Sequence, residues 1–181
     1  MRALHIQRDA ESIEELDIKI QANTFYTFFN SILIDEIAPI KEHMLYCDAN
    51  ALSEKKKPFF IGEQLVIGDA LLLGRYDFED VDAKISKEEL ASLIKYEVND
   101  FYREALELLS QTNINLYRTF EVQKNEEKLA LNSEWVLYTF NMADERTRAY
   151  FIDELKKVLQ KSEAVEPFMQ KMAQLALNAA A

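Results

Sequence analysis

His43 and Cys47 stand four residues apart in EHMLYC. On a helix that spacing sets both side chains on one face, and an imidazole beside a thiol is the arrangement that makes a reactive thiolate. The competing reading is a small buried thiol next to a surface imidazole. No G-x-S-x-G elbow occurs, so a Ser-His-Asp triad would have to be assembled from residues far apart in sequence. With 2 His and 1 Cys the chain lacks the ligands of the common Cys- and His-rich zinc sites, and no metal site is expected. The run Asp77, Glu79, Asp80, Asp82 offers oxygen ligands to a hard cation but has neither the glycine nor the final glutamate of a calcium loop. It is read as a solvated approach to a helix, whose N-terminus favours negative charge. Gly62, Gly68 and Gly74 match no phosphate-loop motif and are read as turn or bulge residues, so no cofactor is expected. The lone basic cluster, Lys55 to Lys57, is read as a solvated loop.

The elements that would position these residues follow from periodicity. Between Asp9 and Ala38 the residues Ile13, Leu16, Ile20, Phe25, Phe29, Ile32, Leu33 and Ile37 recur at three- to five-residue steps, which predicts an N-terminal helical segment over 9–50, interrupted at Pro39. Of the aromatic group Phe25, Tyr26, Phe28 and Phe29, most should be core, with Tyr26 or Phe28 left as a contact residue. Apolar runs between the glycines predict two or three short strands over 59–78. Ser86 and Glu89 form a capping-box pattern that opens a helix over 86–112. Ile114, Leu116, Phe120 and Val122 alternate with polar residues, and Leu129, Leu131, Trp135 and Leu137 keep the same period after the turn KNEE, which predicts a hairpin over 114–140. The stretch EEKLALNSEWVLYTF also tolerates a helical phase. Helices over 144–162 and 166–179 are expected from Asp144 as a cap and Pro167 in a first turn. The fold class is therefore α+β, a small antiparallel sheet packed against several helices, helix-rich and in one domain over 1–181.

The totals exclude some partners. The formal charge is -11, and between residues 58 and 112 there are 12 Asp and Glu against 5 Lys and Arg. Such a balance disfavours a nucleic-acid backbone or an anionic membrane surface. A single cysteine permits no internal disulfide and fits a reducing compartment. The opening residues hold no apolar stretch of signal-peptide length, so a cytoplasmic location is the expectation.

The C-terminal segment carries the candidate partner contact. Phe168, Met169, Met172 and Leu175 fall at i, i+1, i+4 and i+7 on one helical stripe, and methionine adapts to varied surfaces. The alternative is that this stripe covers the domain's own core. The order of elements, together with residues 105–159 and the step Leu108, Leu109, Asn113, resembles the class I type III secretion chaperones. That resemblance implies a small acidic homodimer holding an extended client segment on its strands and hydrophobic grooves. The expected function is thus non-enzymatic protein binding, chaperone- or adaptor-like, with a protein partner or a second copy of the chain. Two alternatives stand beside it. One is a small cytoplasmic enzyme using carboxylates or the His43/Cys47 pair, and the other is an acidic inhibitor or immunity-type protein.

Overall fold

The structure is a computed structural model that describes residues 1–179. Where length predicts one domain, the chain divides into two compact units, residues 1–98 and 99–181. The α+β class stands, but strand is nearly as extensive as helix, so helix-rich overstates it. The described residues hold six helices and eleven strands in three antiparallel sheets.

In the first unit, β1 (Arg2–Gln7), β2 (Ser12–Asp17), β3 (Ile34–Ile37), β4 (His43–Asp48) and β7 (Ala70–Tyr76) form a sheet in the order β2-β1-β7-β4-β3, and β8 (Glu79–Val81) folds back on β7. The helical segment expected over 9–50 is corrected here. It is β2, the second arm of a hairpin with β1, then the six-residue α1 (Thr24–Phe29), then β3 and β4. The misleading three-residue spacing has a cause in β2. Ile13 pairs with Ile6 and is buried on one face, whereas Leu16 pairs with Ala3 and packs on the other. A strand that sends one apolar residue to each face does not show period two. Ala3, Tyr46, Leu71 and Leu73 form the face covered by Phe25, Phe28 and Phe29. Leu4, Ile6, Leu45, Cys47 and Leu72 are buried on the opposite face.

The strands expected over 59–78 are present as β5 (Pro58–Ile61), β6 (Gln64–Ile67) and β7. Gly68 takes φ +76 between β6 and β7, a conformation that costs a glycine nothing. The capping box at Ser86 forms, with Glu89 N donating to Ser86 Oγ and Ser86 N donating to Glu89. The helix it opens, α2 (Lys87–Leu93), ends far short of residue 112. The chain leaves it as β9 (Ile94–Lys95), which pairs with β5.

The second unit begins with α3 (Asp100–Leu109), capped afresh by Asn99, whose side chain accepts from Tyr102 N. The hairpin is real but shorter than 114–140: β10 (Thr119–Lys124) and β11 (Glu127–Asn132) pair in register from Thr119↔Asn132 to Lys124↔Glu127. Asn132 then caps α4 (Ser133–Asn141) by accepting from Trp135 N, so Trp135 sits half-buried on a helix. α5 (Glu145–Gln160) starts at the cap Asp144, and α6 (Val165–Ala179) follows. Phe101, Phe140 and Phe168 surround the fully buried Phe151 at ring separations of 4.9 to 5.6 Å.

Gly74 marks where β8 returns across β7. A Cβ there would overlap the backbone carbonyl of Asp82 and stand 2.9 Å from Val81 Cγ2. Gly74→Ala is expected to cost about 2–3 kcal/mol, measured by urea denaturation. An alanine variant as stable as the parent would show that β8 yields without penalty.

Candidate functional site

The pair His43 and Cys47 is not brought together. Both lie on β4, where four residues span about 13 Å. His43 is instead a cross-chain staple. Its Nδ1 is 2.9 Å from the Lys41 carbonyl, and its Nε2 accepts from Lys84 N at 3.1 Å and Ile85 N at 3.3 Å. A ring nitrogen that accepts from amides carries no proton, so Nδ1–H donates to Lys41. Cys47 is 1% exposed, its Sγ 3.9 Å from the Asp35 carbonyl.

The acidic run is not a helix approach: Asp77 lies in the turn after β7, Glu79 and Asp80 on β8, and Asp82 just beyond it. Asp80 accepts from Tyr46 Oη at 2.7 Å and from Arg75 Nη1 at 3.0 Å, and Asp82 accepts from Arg2 N. Burial first, and the Asp80 carboxylate second, hold the Tyr46 phenol well above its ordinary range. Among the described residues no three His, Cys, Asp or Glu side chains converge as a metal-ion site.

One cleft in the first unit gathers groups that sequence reasoning missed. It encloses about 290 Å³ and is lined by His5, Arg8, Asp9, Phe28, Lys57 and Asp69 among others. Phe28 of α1 meets the His5 ring edge-on at 4.8 Å. Asp69 Oδ2 stands 3.8 Å from His5 Nε2, beyond hydrogen-bond reach, while its Oδ1 accepts from Arg8 N. Arg8 is committed to structure. It donates to the carbonyls of Pro58 and Tyr96, pairs with Glu11 and stacks 5.2 Å over the Tyr96 ring. The rim lysines are paired too, Lys57 with Asp9 at 3.0 Å and Lys56 with Glu54 at 3.4 Å. The signal for His5 was its alternation with Leu4 and Ile6 in RALHIQ, which places it on a sheet face.

The candidate contact stripe is largely core. Phe168, Met169 and Met172 are buried inside the second unit, Phe168 against Phe151. Only Leu175, 41% exposed, reaches the surface, where it lines an apolar groove of about 420 Å³ with Met142 and Tyr150.

The polar face of α6 does something else. Gln174 Nε2 donates to the Gln123 carbonyl at 2.8 Å, Gln174 Oε1 accepts from Gln123 N at 3.0 Å, and Gln170 donates to the Glu121 carbonyl. These are the outward-facing backbone groups of β10. Antiparallel pairing makes the residues opposite them, Lys128 and Ala130, face outward from β11. Among the described residues no strand pairs with that outer edge of β11. The two glutamines, one helical turn apart, were visible in the sequence but carried no hint of the strand they would meet.

No family model, curated protein or solved structure matches the chain.

The His5 ring provides a pH test. Burial lowers its proton affinity, opposed by the nearby Asp69 and Glu14 carboxylates. The unfolded imidazole takes a proton below about pH 6.5, the folded one only at lower pH. Between those values the unfolded state binds more protons, so stability falls as pH falls. His5→Phe is expected to flatten this dependence. The measurement is the melting temperature of both proteins from pH 7.5 to 5, and parallel curves would show that His5 is not its source.

Proposed function

We propose that the chain is a protein-binding module, chaperone- or adaptor-like and non-enzymatic, which holds an extended segment of a partner as an added strand on β11. The observation that carries this reading is the unequal treatment of the hairpin's two edges. Free strand edges invite pairing with other chains, and proteins cover the ones that must stay closed. Here α6 closes β10 with Gln170 and Gln174, and among the described residues no strand takes up the outer amides and carbonyls of β11.

Strand addition supplies affinity through the main chain and selectivity through alternate side chains. The half-buried Leu129 and Leu131 lie on the same face as the buried Phe120 and Val122, opposite which they pair. An added strand presenting apolar residues at every second position on that face would extend the same apolar layer. A second copy of the chain offers an identical edge, so a homodimer joined through β11 is one form of the same mechanism. The formal charge of -11 favours partners that are basic over nucleic acid or anionic lipid.

Ala130→Pro tests it directly. The Ala130 N–H points away from β10, so proline removes no hairpin bond but blocks an incoming strand. Partners are first identified by affinity purification from the native host with mass spectrometry. Calorimetry with the purified partner should then show binding weakened at least about tenfold, with the circular dichroism spectrum kept. Light scattering on the same variant reads the homodimer form. Lys128→Pro, at the next outward position, guards against local misfolding at one site. Unchanged affinity and mass in both folded variants would remove β11 as the binding edge.

A further inference from the structure

We propose that the β7–β8 turn is a second docking element, a fixed aromatic knob that inserts into an apolar socket rimmed by Lys and Arg on a protein partner. It belongs to the first unit and does not depend on the β11 reading. Tyr76 pairs with Glu79, which leaves Asp77 and Phe78 as a two-residue loop with φ of +45 and +67. Positive φ at both central positions is the type I′ class, for which Asn-Gly and Asp-Gly are the favoured sequences. Asp77 suits its place. Phe78 does not, because a bulky side chain in the left-handed region is strained, and this one recovers nothing by packing, being 91% exposed.

The rest of the hairpin is built to hold that tip still. Gly74 admits the close return of β8, Arg75 and Tyr46 grip Asp80, and Arg75 N donates to the Glu42 carbonyl at 2.7 Å. A rigid hairpin thus displays a phenylalanine that its own fold would do better without. Tyr76, also exposed, adds a second ring. Exposed aromatics on a preorganised support are the usual anchors of protein interfaces.

Charge selects the partner. Asp77 and Glu79 flank Phe78 and are exposed, while Arg75 is already paired with Asp80 and Lys84 with Glu42. A carboxylate collar repels an anionic bilayer and nucleic acid, and it complements a socket edged with basic side chains.

Phe78→Gly restores the favoured Asp-Gly turn. The variant should melt at the same temperature as the parent or higher. To find the partner, p-benzoylphenylalanine is placed at position 78 in cells of the native host and irradiated, with the same residue at exposed Glu88 as control. The adduct formed from position 78 alone is identified and its partner purified. Calorimetry should show Phe78→Gly binding at least about tenfold more weakly, and the parent's affinity should fall between 50 and 500 mM salt, at roughly the screening expected of exposed charges. Any of four results overturns the proposal. These are a lower melting temperature for Phe78→Gly, adducts no different from the control, an adduct of twice the chain mass that marks self-association, or a purified partner that binds both proteins equally.

Discussion

Along its first four residues strand β7 has no side facing water. Ala70 to Leu73 are completely buried on both faces of the sheet, flanked by β1 and β4. Such a stretch can hold no functional side chain, so what β7 itself presents must stand where it begins or ends. Asp69, just before it, faces the His5 cleft, and Tyr76, at its end, leads into the exposed turn. The burial that fixes this strand therefore also fixes where polar and aromatic groups meet solvent.

The second unit solves a different problem. A two-stranded hairpin is marginal alone and needs a third layer. α6 provides it twice over, with a buried apolar face that sets Phe168 against Phe151 and glutamines that satisfy the β10 backbone. Using side-chain amides to end a sheet is an inexpensive way to stop growth on one side only. The asymmetry that results is a property of the backbone and owes nothing to surface hydrophobicity.

Legibility in the sequence followed the range of the interactions involved. The capping box at Ser86, the cap at Asp144 and the glycine-bounded strands were readable because their partners lie within a few residues. The alternation that identified β10 and the first half of β11 was equally local. It failed at Trp135 because the Asn132 cap switches the chain to a helix within one peptide unit, a change that period two cannot register. The N-terminal strands were misread because Ile13 and Leu16 of β2, three residues apart on opposite faces, imitate a helical stripe. The site residues were the least legible of all. His5 and Asp69 meet across sixty-four residues, and Gln174 finds Gln123 across fifty-one, so neither pairing leaves a mark on its own neighbourhood.

His43 has a consequence for the order in which the first unit assembles. Its ring joins β4 to the amides of Lys84 and Ile85 across the whole excursion through β5, β6, β7 and β8. That contact closes a loop of 41 residues, and the entropy of so long a closure must be met before the contact rewards it. Pairing of β4, β7 and β8 with one another shortens the effective loop, so the imidazole bonds cost least once those strands are in place.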